Sequence, residues 1–448
     1  MAGPKSPLQS SPSGPLSGVA VVPGDKSISH RALILGALAV GETRITGLLE
    51  SDDVLATAAA LRALGAQVRR EDDGDWRIFG CGVGGLSEPS GVLDMGNSGT
   101  AVRLLMGVSA TLSFNTTFCG DASLSKRPME RVMTPLRQMG AQFTARDGGR
   151  LPITVSGARA PIPITYALPV ASAQVKTAIL LAGLNTPGLT TVIEPEPTRD
   201  HSERMLGHFG AEVTVEDTAD GGRRITLSGQ PELTGHGVTV PGDFSSAAFP
   251  MVAALLAPRS RVTLTTVGIN PLRTGLLETL LEMGASIGVE NRRTLGGEAV
   301  ADLVIESSSL KGITVPGARA PSMIDEYPVL AVAAAFADGE TRLEGLAELR
   351  VKESDRLAAM ARGLAQAGVD VTETEDSLTI RGGASKPRGG VHIEADLDHR
   401  IAMAFLVLGA ATQQPISIDD AATMDSSFPG FAALMNGLGA NIAPGNGA

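Results

Sequence analysis

A mixed α/β fold in two lobes, assembled from six copies of one βαβαββ unit, is what this chain predicts. Three observations predict it. Six polar, turn-like stretches each run directly into a strongly apolar segment, beginning at Val21, Leu93, Ala167, Val240, Val315 and Ala395. Each is followed by a second, amphipathic segment that closes on a glycine. These are Gly65, Gly140, Gly210, Gly284, Gly368 and Gly439, spaced 70 to 84 residues apart. Short β-rich runs ending on glycine come next, such as WRIFG after Asp75, RITLSG after Arg223 and SLTIRGG after Asp376. Recurrence at a fixed interval means one supersecondary unit used repeatedly, and alternating strands and helices mean a mixed α/β pattern.

The elements follow in order. Residues 1–17, MAGPKSPLQSSPSGPLS, are rich in Ser, Pro and Gly. They lack the apolar core of a secretory signal and the arginines of a transit peptide, and are expected to be a disordered tail. The phrase VPGD stands at Val22–Asp25 and again at Val240–Asp243. A residue that restricts the backbone followed by one that releases it suits a crossing between lobes. One lobe is therefore expected over 24–240, and the other over 18–23 plus 241–448, each with three repeats. Helices as apolar as LILGALA or VLAVAAAFA must be buried on nearly all sides. Yet each opens on Ser, Asn, Asp, Lys or Arg, where unpaired N–H groups and the helix dipole favour anions. Capping alone explains one such opening. Six, decorated with Lys26, Arg31, Arg103, Lys176 and Arg400, point to an anion site.

Bulk composition narrows the function classes. The 448 residues are 43% apolar but only 3% aromatic, with one Trp and two Tyr, which argues against stacking on single-stranded nucleic acid. A net charge of −11 gives no support for binding nucleic acid or an anionic membrane, so an anionic ligand must meet a local basic pocket. No apolar run reaches the ~18 residues of a membrane span. Cys81 and Cys119 have neither metal-ligand spacing nor a disulfide framework, which suits a reducing, cytoplasmic setting. GxGxxG after a strand, GxxxxGK[ST], HExxH and GxSxG are all absent, so no nucleotide, metal or acyl-enzyme mechanism has its expected residues.

Several constellations could carry chemistry. In Asp25-Lys26-Ser27-Ile28-Ser29-His30-Arg31, Lys26, Ser27 and Arg31 can share one helix end. Lys offers a compact charge for phosphate and Arg a planar fork for carboxylate. Asn97-Ser98-Gly99-Thr100 is either a capping turn or a place where a ligand approaches the backbone closely. Arg127 precedes Pro128 and is pushed toward extended backbone. Ser172-Ala173-Gln174 opens a helix with neutral donors, and Arg199 in PTRDHSER could add charge. Asp325-Glu326 opens the fifth apolar helix, either as an ordinary cap or as a general base. Lys352 and Arg356 stand at i, i+4 with Glu353 between them. Asp398-His399-Arg400 opens the last helix.

With GDKSISHR, NSGTAVR, KRPM, SAQVK, MIDEYP, RVKESDR and DHRIAM in this order from about Leu16 onward, the chain closely resembles the 5-enolpyruvylshikimate-3-phosphate synthase family. The resemblance implies the two-lobed enolpyruvyltransferase fold, closing on substrate. It also implies transfer of the enolpyruvyl group of phosphoenolpyruvate to the 5-hydroxyl of shikimate 3-phosphate, with release of phosphate, on the route to chorismate and aromatic amino acids. It implies no cofactor, no metal and a monomer. It assigns Lys26, Ser27, Arg31, Ser172, Ala173, Gln174, Arg199, Asp325 and Lys352 to shikimate 3-phosphate. Lys26, Gly99, Arg127, Gln174, Arg356 and Arg400 go to phosphoenolpyruvate. Asp325 is implied as the base for the 5-hydroxyl proton, with Glu353 and Lys26 as its catalytic companions.

Departures qualify the likeness. Ser426-Ser427-Phe428-Pro429 stands where many members have a Lys before a TFP-like motif, and Glu348 where many have Asn. TRDH and SMIDEYP resemble the divergent bacterial subgroup that includes glyphosate-tolerant enzymes. Those enzymes carry Ala where this chain has Gly99, so glyphosate is expected to inhibit here. The nearest rival is the UDP-N-acetylglucosamine enolpyruvyltransferase family, which shares the fold but typically has a Cys shortly before its Arg-Pro. Asp121–Lys126 holds none, and Cys119 lies upstream in what reads as a strand end. A non-catalytic phospho-sugar-binding protein would keep the cations without needing both Asp325 and Glu353.

Overall fold

The structure is a computed structural model describing residues 6–383 and 385–445. The described residues divide into two compact units: 24–240 with 294–298, and 6–23 with 241–293, 299–383 and 385–445. The exchange of the hairpin tip at 294–298 has no signal in the sequence.

In the 24–240 unit the apolar helices are Lys26–Leu38, Gly99–Ser109 and Ala173–Leu184. They are buried almost entirely, the first exposing only Lys26 and Ser27 to any extent. They pack on one another as a central layer. The amphipathic helices Asp52–Ala63, Glu130–Gln138 and His201–His208 follow them in turn. Each repeat contributes a four-stranded sheet of one pattern. In the third, Thr165–Ala167 runs parallel to Leu189–Glu194, which pairs antiparallel with Arg223–Ser228, itself antiparallel to Val213–Asp217. Alternation sets which face is inward: in Arg150–Ser156, Leu151, Ile153 and Val155 are fully buried between more exposed neighbours. The first repeat draws its parallel strand, Gly237–Thr239, from the far end of the unit, with Val238 opposite Ile45. The unit therefore closes on itself.

The other unit repeats the plan around Phe244–Leu256, Tyr327–Ala334 and His399–Ala411. All six glycines that end the second segments have φ between 89° and 109°. That left-handed conformation terminates a helix without the Cβ clash any other residue would incur.

The disordered tail expected over residues 1–17 is corrected for residues 8–17, while residues 1–5 lie outside the described residues. Leu8–Ser11 forms a strand inside the sixth sheet, between Gln414–Ile418 and Asn441–Pro444, with Leu8 opposite both Ile418 and Pro444. Ser17–Ala20 pairs in parallel with Arg261–Gly268. Leu16 is fully buried and its N–H donates to Ser260 Oγ at 2.8 Å. The physical reason is that the sixth repeat is one strand short. Two facing strand edges supply backbone partners that outweigh a Ser/Pro-rich composition.

Candidate active site

Capping and site-building occur together at the helix starts. Asp25 accepts from Ile28 N at 2.9 Å, Ser98 from Ala101 N at 3.2 Å and Ser172 from Val175 N at 3.4 Å. The caps fix the first turns, and the residues just inside carry the polar groups. Lys26 pairs with Asp53 on the next helix. Arg31 is 4% exposed and each of its three guanidinium nitrogens makes a hydrogen bond. Its Nη1 donates to the carbonyl of Ser27 at 2.9 Å, Nε to Ser202 Oγ at 2.8 Å and Nη2 to Thr177 Oγ1 at 2.8 Å. Burial lowers the Arg31 pKa to about 10, with Glu203 and Asp25 pulling the other way. The guanidinium stays charged at neutral pH.

A second group forms around Gly99. Arg103 Nη1 donates to the Gly99 carbonyl at 3.1 Å and to Gln174 Oε1 at 2.8 Å, while Gln174 Nε2 donates to Thr100 Oγ1 at 2.9 Å. Arg127 has extended backbone, as its place before Pro128 requires, and its Nη2 donates to Asn97 Oδ1 at 2.9 Å. A methyl placed on Gly99 would lie 2.8 Å from Arg103 Nη1 and 3.2 Å from Arg127 Nη1, so two guanidinium groups crowd this one position.

In the other unit Arg356 is the hub. It is 1% exposed and bridges three carboxylates: Asp398 Oδ2 from Nε at 2.8 Å, Asp325 Oδ1 from Nη1 at 3.3 Å, and Glu353 from Nη2. Burial alone would lower its pKa, but Glu353, Asp398 and Asp325 together raise it. Burial likewise pushes the Asp398 carboxyl up, but Arg356 and His399 together bring it below the usual carboxylate value. Arg400 Nη1 donates to the Asp325 carbonyl at 3.1 Å, and its Nε lies 3.9 Å from Asp325 Oδ1. Asp325 thus stands between two guanidinium groups. Neither Asp325 nor Glu326 caps the helix that follows, because Glu326 sits at the cap position without a capping bond. Glu326 instead accepts from Ser245 Oγ. His399, pulled down to about 3 by burial and by neighbouring Arg400, is neutral near pH 7 and no proton donor there.

Lys352 and Arg356 are not neighbours on one helix: a 3₁₀ turn over Ala347–Val351 ends at Lys352, and a new helix, Arg356–Gln366, starts after its cap Asp355. Asp355 takes the Ala358 N–H at 3.0 Å, so the local polar run breaks the helix rather than continuing it. Ser426, in place of the expected Lys, turns its hydroxyl to the Thr423 carbonyl at 2.7 Å. Sequence reasoning missed Asp53, Asp398 and Glu194 as counter-ions. Each meets its cation through tertiary packing, and only Asp398, beside Arg400 in DHR, had a local hint.

The family model described as EPSP synthase (3-phosphoshikimate 1-carboxyvinyltransferase) matches residues 10–435. A 3-phosphoshikimate 1-carboxyvinyltransferase of Paramagnetospirillum magneticum is 64% identical over 440 residues, covering 98% of this chain and 99% of that protein. The solved EPSP synthase of Acinetobacter baumannii superposes with a TM-score of 0.88 at 47% identity, covering 98% of this chain and 100% of the other. The enolpyruvyl transferase NikO of Streptomyces tendae has the same fold, with a TM-score of 0.77 at 18% identity over 98% and 99% of the two chains.

Proposed function

This chain belongs to the EPSP synthase (3-phosphoshikimate 1-carboxyvinyltransferase) family, and from that premise we propose how its residues divide the work. The enzyme transfers the enolpyruvyl group of phosphoenolpyruvate to the 5-hydroxyl of shikimate 3-phosphate and releases phosphate, in the shikimate pathway to aromatic amino acids. Lys26, Ser27, Arg31, Ser172, Ala173, Gln174, Arg199 and Lys352 hold shikimate 3-phosphate. Lys26, Gly99, Arg127, Gln174, Arg356 and Arg400 hold phosphoenolpyruvate. Asp325 takes the 5-hydroxyl proton, and Glu353 serves proton traffic at the phosphoenolpyruvate methylene. The observation that carries this reading is the Asp325 carboxylate, held by Arg356 and Arg400 instead of closing a helix end. A base flanked by cations can accept a proton beside bound anions, and the developing charges are met by groups already in place. Lys352 makes no hydrogen bond or ion pair among the described residues, which leaves its ammonium available to an anion. The protein acts as a cytoplasmic monomer, with lobes that follow its two compact units, 24–240 with 294–298 and the remainder of the described chain.

The deciding assay is phosphate release from phosphoenolpyruvate with each of two acceptors. Release with shikimate 3-phosphate and none with UDP-N-acetylglucosamine is expected; the reverse result would overturn the acceptor assignment.

Glyphosate is expected to compete with phosphoenolpyruvate. Gly99→Ala should raise its inhibition constant at least tenfold. The new methyl would displace the ends of Arg103 and Arg127, and an inhibitor longer than phosphoenolpyruvate tolerates that least. The KM for phosphoenolpyruvate should rise by a smaller factor. An unchanged inhibition constant would defeat the steric argument.

A further inference from the structure

Outside the residues assigned to substrate lies a buried ionic cluster that the reaction does not call for. Lys176 is completely buried in the helix Ala173–Leu184. Its Nζ lies 2.7 Å from Glu203 Oε1, 3.1 Å from Glu194 Oε2, 3.2 Å from Glu194 Oε1 and 3.4 Å from the Thr198 carbonyl. Burying one ammonium with two carboxylates is costly unless the geometry is well satisfied, so the arrangement needs a reason.

The reason lies in what the cluster grips. Thr198 is held at all three of its polar atoms. Its N–H donates to Glu194 Oε1 at 3.1 Å, its hydroxyl to Glu194 Oε2 at 2.7 Å, and its carbonyl accepts from Lys176. Thr198 lies in the stretch between the strand Leu189–Glu194 and the helix His201–His208, with no regular structure of its own. The next residue is Arg199. The two elements that meet at the cluster also present adjoining residues to Arg31. Thr177 follows Lys176, Ser202 precedes Glu203, their hydroxyls lie 2.6 Å apart, and both receive Arg31. Ser172, Ala173 and Gln174 occupy the turn just before Lys176, whose N–H bonds the Ser172 carbonyl at 3.0 Å.

We propose that Lys176, Glu194 and Thr198 are positioning residues that set the backbone carrying Arg199, and through it the affinity for the phosphate of shikimate 3-phosphate. The inference rests on reading Arg199 as a ligand of that phosphate. None of the three is among the residues assigned to substrate. Their effect is to fix a loop that would otherwise pay its ordering entropy on binding.

The experiment compares Thr198→Val, Thr198→Ser and Arg199→Ala in steady-state kinetics with each substrate varied, alongside thermal unfolding. Thr198→Val keeps the shape and removes the hydroxyl. It should raise the KM for shikimate 3-phosphate about tenfold, the scale of one lost hydrogen bond. The KM for phosphoenolpyruvate and kcat should stay within about twofold, and Thr198→Ser should restore the wild-type value. Glu194→Gln, which keeps the length but disturbs both bonds to Thr198, is the second probe and should shift the same constant in the same direction. Neutral behaviour of Thr198→Val or of Glu194→Gln, equal rises in both KM values, or failure of Thr198→Ser to rescue would overturn the proposal. Arg199→Ala separates the layers. If it raises the KM for shikimate 3-phosphate while Thr198→Val does not, the cluster alone is wrong. If it has no effect, the ligand reading falls and takes the cluster with it.

Discussion

Asp325→Ala should lower turnover about 10²–10⁴-fold, the range general-base catalysis supplies, while calorimetric binding of shikimate 3-phosphate weakens by no more than about tenfold. The asymmetry follows from the surroundings. The Asp325 side chain is 18% exposed, so it is reachable by a substrate hydroxyl, yet it lies 3.3 Å from Arg356 Nη1 and 3.9 Å from Arg400 Nε. The remaining cations proposed for shikimate 3-phosphate, Lys26, Arg31, Arg199 and Lys352, are untouched by the change. Binding therefore loses one contact, whereas chemistry loses its proton acceptor. Asp325→Asn, which keeps the shape and an acceptor oxygen but not the basicity, should be nearly as slow as the alanine variant. Parallel loss of binding and turnover would instead make Asp325 an anchor for the two arginines.

Arg356→Met should cost about 3–5 kcal/mol of stability as well as abolishing activity, because it strands charge in the interior. Asp398 is 0% exposed and its carboxylate relies on Arg356 Nε, with Ser354 Oγ and Arg400 N–H supplying its other bonds. Adding Asp398→Asn to Arg356→Met should recover a substantial part of the loss by removing the unpaired charge. The two changes would then be strongly non-additive in a double-mutant cycle read by urea unfolding. A loss below about 1 kcal/mol for Arg356→Met would mean that water reaches Asp398, and the buried-hub description would be wrong.

These sites differ in how far the sequence exposed them. The helix starts were legible because cap, charge and apolar run are adjacent: Lys26, Ser27 and Arg31 lie on one helix, as their spacing requires. The repeat was legible through its glycines, whose positive φ leaves little choice of residue. The i, i+4 spacing of Lys352 and Arg356 carried no helical contact, because such spacing means proximity only in a continuous helix and Asp355 starts a new one. Counter-ions such as Asp53, Asp398 and Glu194 were obscure because a carboxylate gives no local sign of the cation it will meet. The strand at Leu8–Ser11 was hidden for a related reason. Its stability comes from two neighbours more than 400 residues along the chain, not from its own composition.

That distant pairing has a consequence for the order in which the protein is made. A ribosome releases Leu8–Ser11 more than 400 residues before its partner Gln414–Ile418. At about 5–20 residues per second, the delay is on the order of tens of seconds. Residues 24–240 emerge in the interval with three complete sheets among themselves, needing only the 294–298 tip to follow. The nascent chain is thus expected to hold a folded first unit while its leading strand waits, an unpaired edge for which a holding chaperone would be a natural companion.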